Sequence, residues 1–196
     1  MLLLWDIDDG FGGQIDKYME HTNIDIQAGA FMAYGLINSG ITNEMDPVSA
    51  VLTEKLVCPE DKLKIGALMG LSFTYAGSTR EDLLEEITPI IMDSDNSTEL
   101  KAVASLTLGL IYVGTCNEDV AQAILQTLME MEEKEIDNPF SRLFCLGLGL
   151  LFLGQQSLAE ASIECLEVLE SQKWKDFAKI IVMTCAYAGS GNVIKI

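Results

Sequence analysis

Five glycines, Gly40, Gly77, Gly114, Gly154 and Gly189, each close the same apolar phrase, and the phrase returns every 35 to 40 residues. The phrases are AGAFMAYGLINSG (28–40), IGALMGLSFTYAG (65–77), AVASLTLGLIYVG (102–114), RLFCLGLGLLFLG (142–154) and AKIIVMTCAYAG (178–189). A fixed period in this range marks a solenoid or an array rather than one closed core. Such proteins work through extended surfaces, so the functional question becomes which surface and which partner.

Each phrase is apolar on every side, which predicts a helix buried all round. Small residues occupy places where large ones are expected: Gly29, Ala33 and Gly35; Gly66, Gly70 and Ser72; Ala104 and Gly109; Gly147 and Gly149. Glycine inside a helix costs about 1 kcal/mol relative to alanine. Close approach of neighbouring helices is the expected compensation. The closing glycine is expected in the left-handed conformation that ends a helix.

A polar turn and a second helix follow each cap, over 47–57, 81–92, 118–133 and 157–171. Ser78-x-x-Glu81, Thr115-x-x-Glu118 and Ser157-x-x-Glu160 have the form of capping boxes. Asp46-Pro47 and Asn138-Pro139 read as a cap followed by proline at the first turn. In 118–133, Val120, Ile124, Leu125, Leu128 and Met131 form a packed side. Asp119, Gln122, Gln126, Glu130 and Glu133 recur at three- and four-residue spacing opposite. In 157–171, Ile163, Leu166 and Leu169 face in, and Glu160, Glu164 and Glu167 face out. The fold class is therefore all-α, a helical-repeat solenoid with buried inner and amphipathic outer helices. It spans 1–196 as one fragment of about five helix pairs, with inner helices near 28–40, 65–77, 101–114, 140–153 and 177–189. The ends look uncapped, as expected of a piece of a longer array.

Thirty acidic residues against twelve basic ones give a net charge of -18. Such a chain repels phosphate backbones and anionic lipid, so neither nucleic acid nor membrane is an expected partner. A basic protein surface is the natural complement, with simple solubility as the plainer use of the charge. The longest apolar run, Leu143 to Leu153, is about half a bilayer span. The five cysteines show no C-x-x-C, and Cys145, Cys165 and Cys185 read as small core residues. An odd count fits a reducing compartment. His21 has no cysteine near it, so no metal is expected, and no cofactor. There is no G-x-S-x-G and no phosphate loop, and Gly147-Leu148-Gly149 lies inside an apolar helix. The chain does not read as an enzyme.

The phrase, with its small residues and closing glycine, resembles the proteasome/cyclosome repeat. That repeat occurs in the two largest non-ATPase subunits of the proteasome regulatory particle and in the largest subunit of the anaphase-promoting complex. Five stretches narrow the resemblance to one of the two proteasome subunits: WDIDDGFGGQIDKYME (5–20), AGAFMAYGLINSGITNEMDPVSAVL (28–52), YAGSTREDLL (75–84), VGTCNEDVAQAILQTLME (113–130) and CAYAGSGNVIKI (185–196). The stretches are spread along the sequence, and the resemblance covers nearly the whole chain.

The resemblance implies a closed toroid of two helix layers seated on the proteasome ATPase base subunits, without catalysis, in cytoplasm and nucleus. It implies docking of ubiquitin, ubiquitin chains and the ubiquitin-like domains of shuttle factors on outer helices. The matching acids are Asp95, before an inner helix, and Asp119 and Glu130. Gln126 stands where the family can carry a further acid. Met129 and Ala123 are the apolar contacts expected beside them. A second site, for the ubiquitin-like domain of a proteasome-associated deubiquitinase, matches Ile7, Asp8 and Gln14, next to one extra residue around 8–13. The alternative is a purely structural scaffold module with no direct ubiquitin binding.

Overall fold

The computed structural model describes residues 11–40, 46–169 and 171–192. All regular structure among them is helical. The chain divides into two compact units, Met1–Tyr75 and Ala76–Ile196.

The first unit contains α1 (Phe11–Met19), α2 (Ile24–Ile37), α3 (Pro47–Glu54) and α4 (Asp61–Thr74). Its centre is the packing of α2 on α4. The small residues explain the fit: a Cβ on Gly35 would collide with the backbone of Gly70, and one on Gly66 with the backbone of Ala28. The Thr74 hydroxyl donates to the Gly35 carbonyl at 2.9 Å, sealing the same contact. Gly29 departs from this pattern. It is exposed and a Cβ there would meet nothing. The expectation of close packing fails because α2 buries only the face of Ala30, Phe31 and Gly35. Asp46 caps α3 as expected, its carboxylate accepting from the Ser49 N–H.

The second unit contains α5 (Glu81–Met92), α6 (Thr98–Ile111), α7 (Glu118–Glu130), α8 (Glu133–Ile136), α9 (Arg142–Leu151), α10 (Glu160–Leu166) and α11 (Gln172–Ala186). The inner helices α6, α9 and α11 pack in succession. Every residue of α6 from Leu100 to Gly109 is buried. Its polar side chains are satisfied within the helix: Ser105 donates to the Lys101 carbonyl and Thr107 to the Val103 carbonyl, each at 2.9 Å. The α6–α9 contact is glycine-mediated, since a Cβ on Gly147 would sit 2.6 Å from the Ser105 carbonyl oxygen.

All five phrase-closing glycines are left-handed, with φ between 70° and 74°. In the second unit they also tie one repeat to the next. The N–H of Gly77 donates to the Leu110 carbonyl (2.9 Å), that of Gly114 to Leu150 (3.0 Å) and that of Gly154 to Cys185 (3.0 Å). Each bond adds a donor from the preceding repeat to a carbonyl in the last turn of the following inner helix, which also accepts from the N–H three residues on. The turns carry a second left-handed residue two positions on, Thr79, Cys116 and Gln156. These side chains carry no local signal for that conformation.

The extra turn residue explains why the capping boxes do not form. The chain needs two more positions to turn, so Asn117, not Thr115, caps α7, its Oδ1 accepting from the Val120 N–H at 3.0 Å. Thr115 instead donates to the Tyr112 carbonyl. Arg80 occupies the start of α5 without a side-chain cap. Ser157 lies within a 3-10 turn, Gln156–Ala159, ahead of α10. Asn138 caps a 3-10 turn, Pro139–Ser141, that leads into α9.

The cysteines split by burial. Cys145 is buried in α9, Cys185 is half-buried and Cys165 is exposed on α10, contrary to its reading as a core residue. Burial pushes the Cys145 thiol up from 9.0 to about 12. At pH 7 a maleimide is expected to label Cys165 in the native chain, and Cys145 only as fast as the unit opens, as read by mass spectrometry. The sign of the linkage follows. The unfolded thiol ionises near 9.0 while the folded one stays neutral to about 12, so its contribution is complete below pH 9 and fades between 9 and 12.

A candidate docking groove on the outer helices

Helix α7 has the period its sequence promises. Val120, Ile124 and Leu128 are almost fully buried, and Met131 follows just past its end. Ala121, Ala123 and Thr127 are buried too. Ala123 is therefore not an available contact: it lies on the inward side, where Thr127 reaches the Ile91 carbonyl of α5 at 3.4 Å. The opposite face carries Asp119, Gln122, Gln126, Met129 and Glu130, all exposed.

Three of the expected residues come together. Gln126, Met129 and Glu130 line one groove between α7 and α10, about 690 Å³ in volume. The Gln126 amide donates to the Glu130 carboxylate at 2.9 Å, so both are held along one edge. The floor is apolar, made by Ala121, Leu125 and Phe152. Met129 and Leu158 stand 44% and 61% exposed, which is unusual for large apolar side chains on adjacent helices. Glu118 and Gln122 continue the polar edge, and Cys116 and Cys165 also reach the groove. The result is an apolar strip with amides and carboxylates along its rim, on two helices held by the inner layer.

Asp119 is placed differently. It lines a second depression, between α5 and α7, with Glu81, Glu85 and Tyr112. Along α7 it is eleven residues from Glu130, about 16 Å at 1.5 Å per residue. Asp95 lies exposed in the turn between α5 and α6, where its N–H donates to the Asp93 carboxylate at 3.0 Å. That turn is at the Glu130 end of α7, since the last turn of α5 meets Thr127. Ile7 and Asp8 lie outside the described residues; Gln14 falls in α1, with its side chain outside the description.

Leu158, Phe152 and Leu125 as groove residues escape the sequence reading. Leu158 sits in the turn before α10, and nothing in a single helical period shows which neighbouring turn reaches α7.

No protein-family model matches the chain. Over all 196 residues it is 38% identical to the 26S proteasome non-ATPase regulatory subunit 2 of Dictyostelium discoideum. It is 44% identical over the same length to the 26S proteasome regulatory subunit rpn1 of Schizosaccharomyces pombe. The chain is homologous to one segment of this regulatory subunit. It is also 41% identical to the 26S proteasome non-ATPase regulatory subunit 2 homolog A of Arabidopsis thaliana. In each case the chain spans 22% of the relative's length. The groove between α7 and α10 is thus a feature of a segment homologous to part of the non-ATPase regulatory subunit 2 proteins.

Proposed function

We propose that this chain is a non-catalytic segment of a proteasome regulatory-particle scaffold, in cytoplasm and nucleus, that docks ubiquitin and ubiquitin-like domains. The observation that carries the reading is the groove between α7 and α10: exposed Met129 and Leu158 over an apolar floor, edged by Glu118, Gln122, Gln126 and Glu130. A ubiquitin fold presents a small apolar patch ringed by lysine and arginine. Such a patch is complemented by apolar area with carboxylates at its margin, on rigid elements. Homology to a segment of proteasome regulatory subunits supports the same reading. Shuttle-factor domains and ubiquitin chains share the binding chemistry, and the ATPase base is the proposed seat of the whole subunit. The deubiquitinase site at Ile7, Asp8 and Gln14 rests on the resemblance of the N-terminal stretch.

A flat patch of this size gives an affinity for one ubiquitin of about 10 to 100 µM, roughly -5.5 to -7 kcal/mol. Met129→Ala is expected to weaken it about fivefold by removing about 1 kcal/mol of apolar contact. Because Met129 is exposed, the thermal midpoint should not move. Anisotropy titration of labelled ubiquitin measures the first and calorimetry the second. An unchanged affinity would remove the groove from the docking surface.

A further inference from the structure

Cations are scarce in this chain, twelve against thirty acids, yet three of them, Lys173, Lys175 and Lys179, fall within seven positions of α11. A fourth, Arg142, opens the neighbouring inner helix α9 and meets α11 through an aromatic ring. Its guanidinium carbon lies 5.6 Å from the centroid of Phe177, over the ring. Phe177 in turn meets Trp174 edge to face, with centroids 5.5 Å apart. Phe140, 42% exposed, stands in the 3-10 turn two residues before Arg142. The result is a basic and aromatic patch on a molecule of net charge -18.

The patch has donors to spare. The contact with the ring acts on the charge of Arg142 and uses none of its five N–H groups. Among the described residues none accepts a hydrogen bond from this exposed guanidinium, and no carboxylate pairs with it. The acids at hand are engaged elsewhere. Asp176 accepts from the Gln172 amide at 3.0 Å, and Glu167 accepts from the Lys179 ammonium. Lys175 pairs with no carboxylate among the described residues. These charges also run against the helices that carry them. Helices α2, α4, α5, α6, α7 and α10 each place an acid in the first turn, whereas α9 and α11 place none. Cations at that end oppose the helix dipole, so helix formation gives no reason for them.

The chemistry selects the occupant. The planar fork of an arginine takes a carboxylate through two parallel bonds. Half-buried Trp174 offers a ring to an apolar or aromatic side chain next to that carboxylate. A long polyanion is repelled by the acidic remainder of the chain. A short acidic segment feels mainly the patch itself, because charges beyond about 8 Å are screened at physiological ionic strength. We propose that the patch on α9 and α11 docks an acidic segment of a partner protein. One carboxylate sits on Arg142, Lys175 supplies a second charge, and an aromatic side chain packs against Trp174. This surface is separate from the groove between α7 and α10, whose carboxylates draw a partner of the opposite charge.

The test uses the 196-residue chain carrying Trp5→Phe, which leaves Trp174 as the sole tryptophan. The probe is the end-capped peptide Glu-Glu-Phe-Glu-Glu, and Gln-Gln-Phe-Gln-Gln is the neutral control. The acidic peptide is expected to change Trp174 emission saturably, and the control to leave it unchanged. The response should fade as salt rises. No saturable change at millimolar peptide, or an equal change with the control, overturns the proposal. So does an oligothymidylate of the same charge that competes as well as the peptide, since the patch would then read charge alone.

The peptide is then titrated into variants whose helix content is checked by circular dichroism. Arg142→Gln is expected to bind about three- to tenfold more weakly, the range of one hydrogen bond. Arg142→Lys keeps the charge without the fork and is expected to recover only part of that loss. Lys175→Gln leaves the contact of Arg142 with Phe177 in place and is expected to weaken binding about twofold, the range of an exposed ion pair. A folded Arg142→Gln that binds as the parent does would overturn the proposal. If Arg142→Gln loses helix content, Lys175→Gln decides, and unchanged affinity there overturns it.

Discussion

Gly147→Ala is expected to destabilise the Ala76–Ile196 unit by about 2–3 kcal/mol, although alanine is the better helix former by about 1 kcal/mol. The reason is where the new methyl would go. It would lie 2.6 Å from the Ser105 carbonyl oxygen and 2.9 Å from its carbon, and both are backbone in the buried stretch of α6. No side chain can swing away, so α6 and α9 must separate and lose contacts along their length. Gly109→Ala meets the same obstacle from the other side, with its methyl 2.6 Å from the Gly147 Cα. The two positions share one contact, so the double variant should cost less than the sum. Gly29→Ala is the control. It places a methyl in open space on the exposed face of α2, and is expected to gain about 0.5–1 kcal/mol from helix propensity and a stiffer unfolded chain. Urea denaturation followed by circular dichroism measures all three. Equal losses at Gly147 and Gly29 would show that the inner helices are not held at backbone contact.

Much of this architecture is legible in the residues. A glycine closing an apolar phrase can be recognised because only glycine takes φ near 70° without strain, and all five do so. Gly66, Gly70, Gly109, Gly147 and Gly149 are legible as contact points because their helix cost demands compensation. Gly29 carries the same cost and no contact, which propensity cannot reveal. Thr79, Cys116 and Gln156 are illegible for the opposite reason: their left-handed backbone is imposed by the turn, not chosen by the side chain. That second turn residue moves the cap of α7 from Thr115 to Asn117.

The candidate site is legible in part. Helical period finds the exposed edge of α7, including Gln126, Met129 and Glu130. It cannot decide which helix each residue faces. Asp119 therefore belongs with Tyr112 and the acids of α5, while Glu130 belongs with Leu158 and α10. Ala123 appears beside Met129 on a single-helix reading and is buried against the inner side. These are pairings between elements, and they depend on the stagger of one repeat against the next.

In the proposed docking, acids on α7 attract a basic partner to the outer helices. Asp119→Lys with Glu130→Lys reverses charge at both hollows and is expected to weaken ubiquitin at least about tenfold, mainly in the association rate. The effect should shrink as salt rises, since both side chains are exposed to a Debye length of about 8 Å at physiological ionic strength. Fold stability should change little. Lysine in the first turn of α7 opposes the helix dipole, lysine in the last turn favours it, and each effect is about 0.3–1 kcal/mol.

The most direct measurement is an NMR titration of isotope-labelled ubiquitin with this chain and with the doubly reversed variant, whose helix content is verified by circular dichroism. Shifts confined to ubiquitin's apolar patch and its basic rim, lost in the variant, are expected. Unchanged ubiquitin spectra at millimolar chain, or identical shifts with both proteins, would contradict it and leave α7 and α10 as scaffold alone.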